Sequence, residues 1–159
     1  MKFLKTHYGR AIPVITSDDS NIPNPAGRGV EGTTTSSATG VLIDSSKTFT
    51  TNLLGAIVVN ETSNEIANIT GITNSTTLVI DNNIFSSGDS YAIYNSVNNE
   101  GCAIYIPAQA SANIKVLTVG GDVITFKRCG DSSSHTILPV NVVRVFRTGT
   151  SLTDLIAIW

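Results

Sequence analysis

Charged side chains are scarce in this sequence, and the two signs nearly balance. Ten Lys and Arg face twelve Asp and Glu, which leaves a net charge of −2 over 159 residues. A surface that neutralises nucleic-acid phosphates needs a cluster of cations. We therefore expect no nucleic-acid partner, and we predict that any partner is a protein or a neutral sugar.

Long apolar runs are also missing. No segment approaches the roughly eighteen consecutive apolar residues of a membrane-spanning helix, and Met1–His7 lacks the apolar core of a secretory signal. We expect a chain that is made in the cytosol and has no membrane partner.

Cysteine and histidine are too few to indicate a metal centre or a catalytic group. Cys102 and Cys129 have neither CxxC spacing nor a neighbouring histidine cluster, so we expect no zinc. They are interpreted as small buried apolar residues, with a disulfide as the open alternative. The loop Ser132–His135 has no acid and nucleophile at a catalytic spacing and is interpreted as solvated. We predict no enzyme, no catalytic residue, no cofactor and no metal.

The acidic residues lack the spacing of oxygen ligands in a calcium-binding loop. Asp18–Asp19, and Asp81 with Glu61 or Glu65, are therefore interpreted as residues that cap turns.

The aromatic residues allow two interpretations. An exposed set of rings with neighbouring amides would bind a sugar, whereas rings within apolar β-runs pack in a core or an interface. The second interpretation is favoured because each of the following lies in an apolar run: Tyr91, Tyr94, Tyr105 and Trp159.

Ser, Thr and Asn are abundant and make up roughly a third of the chain; they favour turns and exposed strand faces over helix. Short runs rich in Val and Ile lie between turn clusters spaced about eight to twelve residues apart. We find no window with a clean helical apolar stripe. The sequence predicts an all-β fold: an antiparallel β-sandwich or jelly-roll-like domain with an inserted small β-module and an extended N-terminal arm.

Three segments are predicted from shifts in composition. Residues 1–27 form the arm, with an edge strand at Ala11–Ile15, because prolines interrupt regular pairing there. The arm is either a frayed terminus or a segment that orders on a neighbouring subunit. Residues 28–97 contain a linker at Arg28–Ser37 and then the β-module. Residues 98–159 form the C-terminal sandwich.

Several strands of the C-terminal segment are apolar on both faces. In Val140–Phe146 one face is expected to meet the core and the other a second sheet or another subunit. Leu155–Trp159 is expected to be paired in a sheet or held between subunits, so its removal should convert an oligomer into monomer or aggregate. We predict a homo-oligomer with these candidate interface residues: Val143, Val145, Leu155, Ile156, Ile158 and Trp159.

The C-terminal segment resembles a known family. Thr118–Phe126 carries a Gly-Gly-Asp hairpin, Ile137–Phe146 contains a Leu-Pro-Val strand, and a Thr-Gly-Thr turn at Thr148 leads to the closing Ile156–Trp159. These pieces follow the order found in the spike-base family of tailed phages and gene transfer agents. The likeness takes in residues 100–159, with Ala11–Asn24 as the family's leading segment.

This resemblance implies a structural virion protein that is attached to the capsid surface as a head spike or fibre base, or as a decoration (cement) protein. It implies assembly in the host cytoplasm, with partners that are further copies of the chain and other virion proteins, above all the major capsid protein. The block between the two similar parts resembles a recurrent phage structural module and leaves a tail or neck location open. The alternative is a tail or host-facing adhesin that binds glycans through the Thr- and Asn-rich loops of this module.

Overall fold

The computed structural model describes residues 8–95 and 100–159. It shows an all-β protein in which every described strand pair is antiparallel. Short 3₁₀ helices occur at Pro25–Gly27 and Thr51–Leu53. The described strands are β1 (Ala11–Pro13), β2 (Arg28–Thr33), β3 (Val41–Ile43), β4 (Ile57–Asn60), β5 (Glu65–Asn74), β6 (Thr77–Ile80), β7 (Ser90–Tyr94), β8 (Ala103–Ile106), β9 (Ala112–Thr118), β10 (Val123–Cys129), β11 (Thr136–Ile137), β12 (Val142–Val145) and β13 (Ile156–Ile158).

The chain divides into two compact units. The first unit comprises Met1–Asp18 with Asn99–Trp159, and the second comprises Asp19–Asn98. The second unit thus begins earlier than the predicted boundary near residue 28, because residues 19–27 belong with the β-module.

The first unit is built from two sheets, with strand orders β1-β13-β8-β11 and β10-β9-β12. Ile104 of β8 and Ile114 and Val116 of β9 are fully buried. Cross-strand pairing of Ala157 with Ile104, and of Val145 with Val116, adds further buried side chains to the same faces. The core of this unit therefore lies on the inner faces of two sheets, as in a sandwich.

The C-terminal strand β13 lies inside a sheet. Ala157 pairs with Ile12 of β1 on one side and with Ile104 of β8 on the other. Beyond β13, the backbone N–H of Trp159 donates to the carbonyl of Arg10 at 2.9 Å. The prediction that this strand is paired in a sheet is confirmed, and its partners belong to the same chain.

The segment before the second unit is part of the fold of the first. β1 is the edge strand of the four-stranded sheet. Asp18 accepts hydrogen bonds from the backbone N–H of Thr148 at 3.0 Å and from its Oγ1 at 2.8 Å, and these bonds lower the pKa of Asp18. Residues 8–18 are thus ordered by contacts within their own chain. The basic start of the predicted arm lies outside the described residues: Lys2, Lys5 and His7.

The second unit is one six-stranded sheet with the order β2-β7-β4-β5-β6-β3. The long strand β5 pairs with β4 along Glu65–Asn68 and then with β6 from Ile69 onward. An isolated bridge joins Ile43 of β3, at one end of the sheet, to Ser36, which follows β2 at the other end. The sheet therefore wraps into a small barrel, which leaves little open strand edge. Its buried core includes Leu42, Phe49, Leu53, Val58, Ile69, Leu78, Ile80, Phe85, Tyr91 and Ile93.

The predicted linker Arg28–Ser37 is wrong over its first six residues, because Arg28–Thr33 form β2. Glycine is typical of linkers, but here it allows neighbouring atoms to lie close to the backbone of the strand. A Cβ on Gly32 would lie 2.6 Å from Asp44 Oδ2 and 2.8 Å from the Tyr91 hydroxyl, and one on Gly27 would lie 2.5 Å from the carbonyl oxygen of Asn95. Small residues are needed at these positions by the packing of the barrel.

Gly101 provides a test of the first unit's packing. Its φ is +72°, and an added Cβ would lie 2.4 Å from Val119 Cγ2 and 3.1 Å from the Val142 carbonyl oxygen. Gly121 also has a positive φ, +89°, but nothing lies within 4 Å of its added Cβ. We expect Gly121→Ala to cost about 1 kcal/mol, the backbone term alone, and Gly101→Ala to cost about 3 kcal/mol or more because overpacking is added. Urea unfolding of both variants measures the difference in unfolding free energy. Equal losses of unfolding free energy would show that the neighbours of Gly101 move aside without a measurable energetic cost.

Candidate interaction surface

Two residues predicted for the oligomer interface lie inside the first unit. Val145 and Leu155 are 1% and 3% exposed, so neither side chain is accessible to a partner subunit. The structure corrects both to core residues, because the strands that cover them come from distant parts of the sequence. The remaining predicted residues are half-buried, and their role stays a prediction: Val143, Ile156, Ile158 and Trp159.

A different apolar cluster is exposed at the β9–β10 hairpin. Val119, Val123 and Ile124 are 48%, 55% and 40% exposed. The Thr118 backbone N–H donates to the Asp122 carbonyl at 2.9 Å, and the Asp122 N–H donates to Thr118 Oγ1 at 3.2 Å. The hairpin is therefore well closed, and its apolar side chains are held outward on a defined strand pair.

The register explains why β10 is uncovered. Ile124 lies opposite Val116, and Phe126 lies opposite Ile114. Directly opposite residues share a face of the sheet, and Val116 and Ile114 are fully buried, so Ile124 and Phe126 continue the core face. On β10 this face is only partly covered. Val123 on the other face is exposed as well, so each face of β10 carries an exposed apolar side chain.

The backbone edge of β10 is also open. Among the described residues, β10 pairs with β9 only, and with seven residues it is the longest strand that pairs on one side alone. At the opposite edge of this sheet, Cys102 and Val142 exchange backbone hydrogen bonds of 2.9 and 2.8 Å, and the Ser17 N–H donates to the Val145 carbonyl at 3.0 Å. Within residues 8–95 and 100–159, the edge of β12 is thus covered and the outer edge of β10 pairs with no strand.

Charge is distributed unevenly along this edge. Asp122 precedes β10, while Lys127 and Arg128 lie near its end, and all three side chains are exposed. Arg128 has a φ of +57° at a bulge, where the register with β9 shifts between Phe126 and Cys129. We call Asp122–Arg128 the β10 edge. This edge is not among the predicted interface residues; the signal that could have found it is the apolar character of Val123, Ile124 and Phe126, which lie on both faces of one short run.

The buried aromatic residues do not form a sugar platform. Tyr91 and Tyr94 are buried in the barrel; the Tyr91 hydroxyl donates to Asp44 Oδ2 at 2.8 Å, and Arg28 Nη1 donates to the Tyr94 hydroxyl at 2.8 Å. Tyr105 stacks on His135 with ring centroids 5.3 Å apart. The interpretation of Tyr91 and Tyr94 as core residues is confirmed.

The candidate acidic residues are engaged by donors of the protein. Asp81 accepts from the Asn68 N–H at 2.8 Å, and Glu61 forms an ion pair of 2.7 Å with Arg28. In the loop before His135, Asp131 accepts from the Ser133 N–H at 2.8 Å, so it caps a turn. No group of three or more metal-binding side chains occurs within residues 8–95 and 100–159.

Both cysteines carry free thiols in the structure. Cys102 is buried and its Sγ donates to the Val142 carbonyl at 3.3 Å; burial raises its pKa to about 12. Cys129 is half-buried, and burial raises its pKa as well. Cys102 therefore has the predicted environment of a small buried residue, and a thiol that stays protonated at neutral pH is a poor nucleophile.

In the described part of the chain, no helix has the length and apolar character that crossing a membrane requires. Comparisons with protein-family models, with curated proteins and with solved structures find no match for this chain. The open, apolar β10 edge is thus the feature of the described surface that bears most directly on function.

Proposed function

We propose that this chain is a structural virion protein of a tailed phage, and that it assembles with itself and with other virion proteins as a head spike or fibre base or as a decoration protein. The observation that carries the proposal is the β10 edge, which joins an open row of backbone groups to exposed apolar side chains. Such an edge is uncommon in a protein that remains alone, because it recruits further strands.

The rest of the described surface supports an assembly role over a chemical one. Asp81 accepts a hydrogen bond from the Asn68 N–H, and Glu61 is ion-paired with Arg28. Tyr91 and Tyr94 are buried in the barrel, and Tyr105 stacks on His135. Each all-β unit is compact by itself, so little rearrangement within a unit is needed on assembly. The predicted Leu-Pro-Val strand is wrong, because residues 138–140 lie between β11 and β12. The order of the Gly-Gly-Asp hairpin, the Leu-Pro-Val segment and the Thr-Gly-Thr turn supports the spike-base setting by resemblance alone.

The test is whether the protein is a component of particles. Full-length protein with an affinity tag is expressed in the cells that produce the particles, and purified particles are analysed by quantitative mass spectrometry and immunogold labelling. We expect a fixed copy number per particle and label on the capsid surface. Absence of the chain from purified particles would overturn the proposal, and label at the tail tip would favour the adhesin.

A second variant separates assembly from host attachment. Because the second unit comprises Asp19–Asn98, the variant replaces that entire unit with a short Gly/Ser linker. If the first unit carries the structural role, the shortened protein should still be found on particles. Particles that keep the shortened protein but no longer adsorb to cells would assign the second unit to host binding.

A further inference from the structure

The backbone groups that face the open side of β10 follow from the hairpin register. The Thr118 N–H···O=C Asp122 bond makes these two residues a hydrogen-bonded pair. In an antiparallel ladder such pairs alternate with non-bonded pairs, so Ile124 and Phe126 also direct their backbone groups toward β9. Val123 and Thr125 therefore direct their N–H and C=O groups toward the open edge.

We propose that the β10 edge pairs antiparallel with the β10 edge of a second copy of this chain, about a two-fold axis at Thr125. In this register the two Thr125 residues exchange both backbone hydrogen bonds, and Ile124 of one copy lies opposite Phe126 of the other. A perpendicular two-fold axis passes between directly opposite residues and keeps corresponding side chains on the same face of the joined sheet. Thr125, whose backbone groups face outward near the middle of the regular part of β10, meets this requirement.

Charge complementarity is the reason to favour a second copy as the partner. Antiparallel pairing about Thr125 brings Asp122 of each copy to the end of the other copy's strand, where Lys127 and Arg128 lie. The edge is thus acidic at one end and basic at the other, so it is complementary to itself when reversed. A parallel arrangement would place like charges side by side, which is unfavourable.

The apolar side chains are complementary in the same register. Ile124 of one copy lies opposite Phe126 of the other on the core face, twice per dimer. Since this face continues the buried row of Ile114 and Val116, pairing extends the core of one unit into that of the next. An aromatic residue opposite a β-branched one is a favourable cross-strand pair.

The pairing closes instead of propagating. Each copy has a single β10 edge, and the far edge of the same sheet is covered by Cys102 and Ser17. The bulge after Phe126 ends the regular ladder on both sides. The expected product is a closed dimer, or a dimeric contact within a larger symmetric assembly. This inference rests on the proposed assembly function, because it names the contact through which copies associate.

The first experiment compares Thr125→Pro with Thr125→Val in the full chain, by sedimentation equilibrium over a range of concentrations. Proline removes the outward N–H and none of the bonds to β9, and an edge strand tolerates it where the N–H faces solvent. Valine keeps the N–H and favours a strand. We expect Thr125→Pro to raise the dimer dissociation constant at least about 100-fold, and Thr125→Val to change it by less than about threefold.

The second experiment tests the register by reversing charges. Asp122→Arg and Arg128→Asp each place like charges together twice per dimer, and each is expected to weaken the dimer by about tenfold. The double variant restores opposite charges and should return to within about threefold of the wild type. Asp is acceptable at position 128 because it tolerates a positive φ better than most residues. Unfolding midpoints of the single variants confirm that each remains folded.

The outcomes separate this inference from the proposed function. A wild-type protein that stays monomeric, a Thr125→Pro variant that dimerises like the wild type, or a charge reversal without rescue would each overturn the β10 pairing. Mass spectrometry of particles decides the virion role independently. Particles that contain the chain, together with a monomer in solution, would leave the virion role standing and remove the inferred contact. A β10 dimer in solution, together with absence of the chain from particles, would support the inferred contact and remove the virion role.

Discussion

Removal of residues 155–159 is expected to unfold the first unit and leave the second unit folded. β13 lies between β1 and β8, so truncation breaks two ladders at once. It also exposes the core around Leu155 and Ala157, which are 3% and 0% exposed. Burial of one leucine contributes about 1.5–3 kcal/mol, and a small domain has only about 5–15 kcal/mol in total. The core of the barrel lies entirely within residues 19–98 and does not depend on β13.

Hydrogen exchange followed by mass spectrometry measures this difference within one sample. Peptides from β8 and β9 should lose protection, while peptides from β4 and β7 keep theirs. Ile158→Thr is the control, since it preserves the backbone ladder at a half-buried position and should cost about 1 kcal/mol. Retained protection of β8 and β9 in the truncated protein would show that β13 is dispensable for folding. A protein that becomes monomeric while both units stay folded would instead support the sequence-based prediction that this segment is an interface.

The Asp44 carboxylate is expected to be the most sensitive polar group in the barrel. It is fully buried and accepts hydrogen bonds from the Ser46 N–H at 2.9 Å, from Ser46 Oγ at 2.6 Å and from the Tyr91 hydroxyl at 2.8 Å. Replacement by alanine leaves the Tyr91 hydroxyl buried without its acceptor and opens a cavity. We expect Asp44→Ala to destabilise the second unit by about 3–5 kcal/mol, and Tyr91→Phe by about 1.5–3 kcal/mol.

The contribution of Asp44 to the stability of the second unit should depend on pH. Burial opposes ionisation, but the hydrogen bonds from Ser46 and Tyr91 outweigh it, so the pKa of Asp44 is lowered below 3.8, the ordinary value. A lowered pKa in the folded state means that the ionised carboxylate stabilises the fold at pH above 3.8 and that this contribution is lost as the pH falls through the lower value.

Urea unfolding at pH 7 and at pH 2 checks both statements. The difference in unfolding free energy between wild type and Asp44→Ala should be largest at pH 7 and should shrink at pH 2. Glu65→Ala is the matched control, because Glu65 is exposed and accepts a hydrogen bond from the nearby Ser63 hydroxyl; its cost should be below about 1 kcal/mol. A difference for Asp44→Ala that is the same at both pH values would show that the carboxylate's charge does not contribute.

The amino-acid sequence by itself determined the type of the elements and the position of most of them. Val41–Ile43 and Thr77–Ile80 are two of the short apolar runs between turn clusters, and both are strands. Their β-branched side chains favour extended backbone, and the flanking Asn, Asp, Ser and Gly residues form turns. These are local preferences, so they can be seen in a short window. The all-β fold and the core role of Tyr91 follow from the same signals.

The tertiary structure decided what the local signals left open. Arg28–Thr33 has the composition of a linker and becomes a strand because its glycines fit against Asp44 and Asn95, which are distant in sequence. Val145 and Leu155 have the same apolar character as Val123 and Ile124, yet the first pair is buried and the second exposed. Apolar character shows that a side chain favours burial, but only the arrangement of the strands determines which side chains the chain can cover itself. Those that it leaves uncovered, on the β10 edge, are the ones available for assembly.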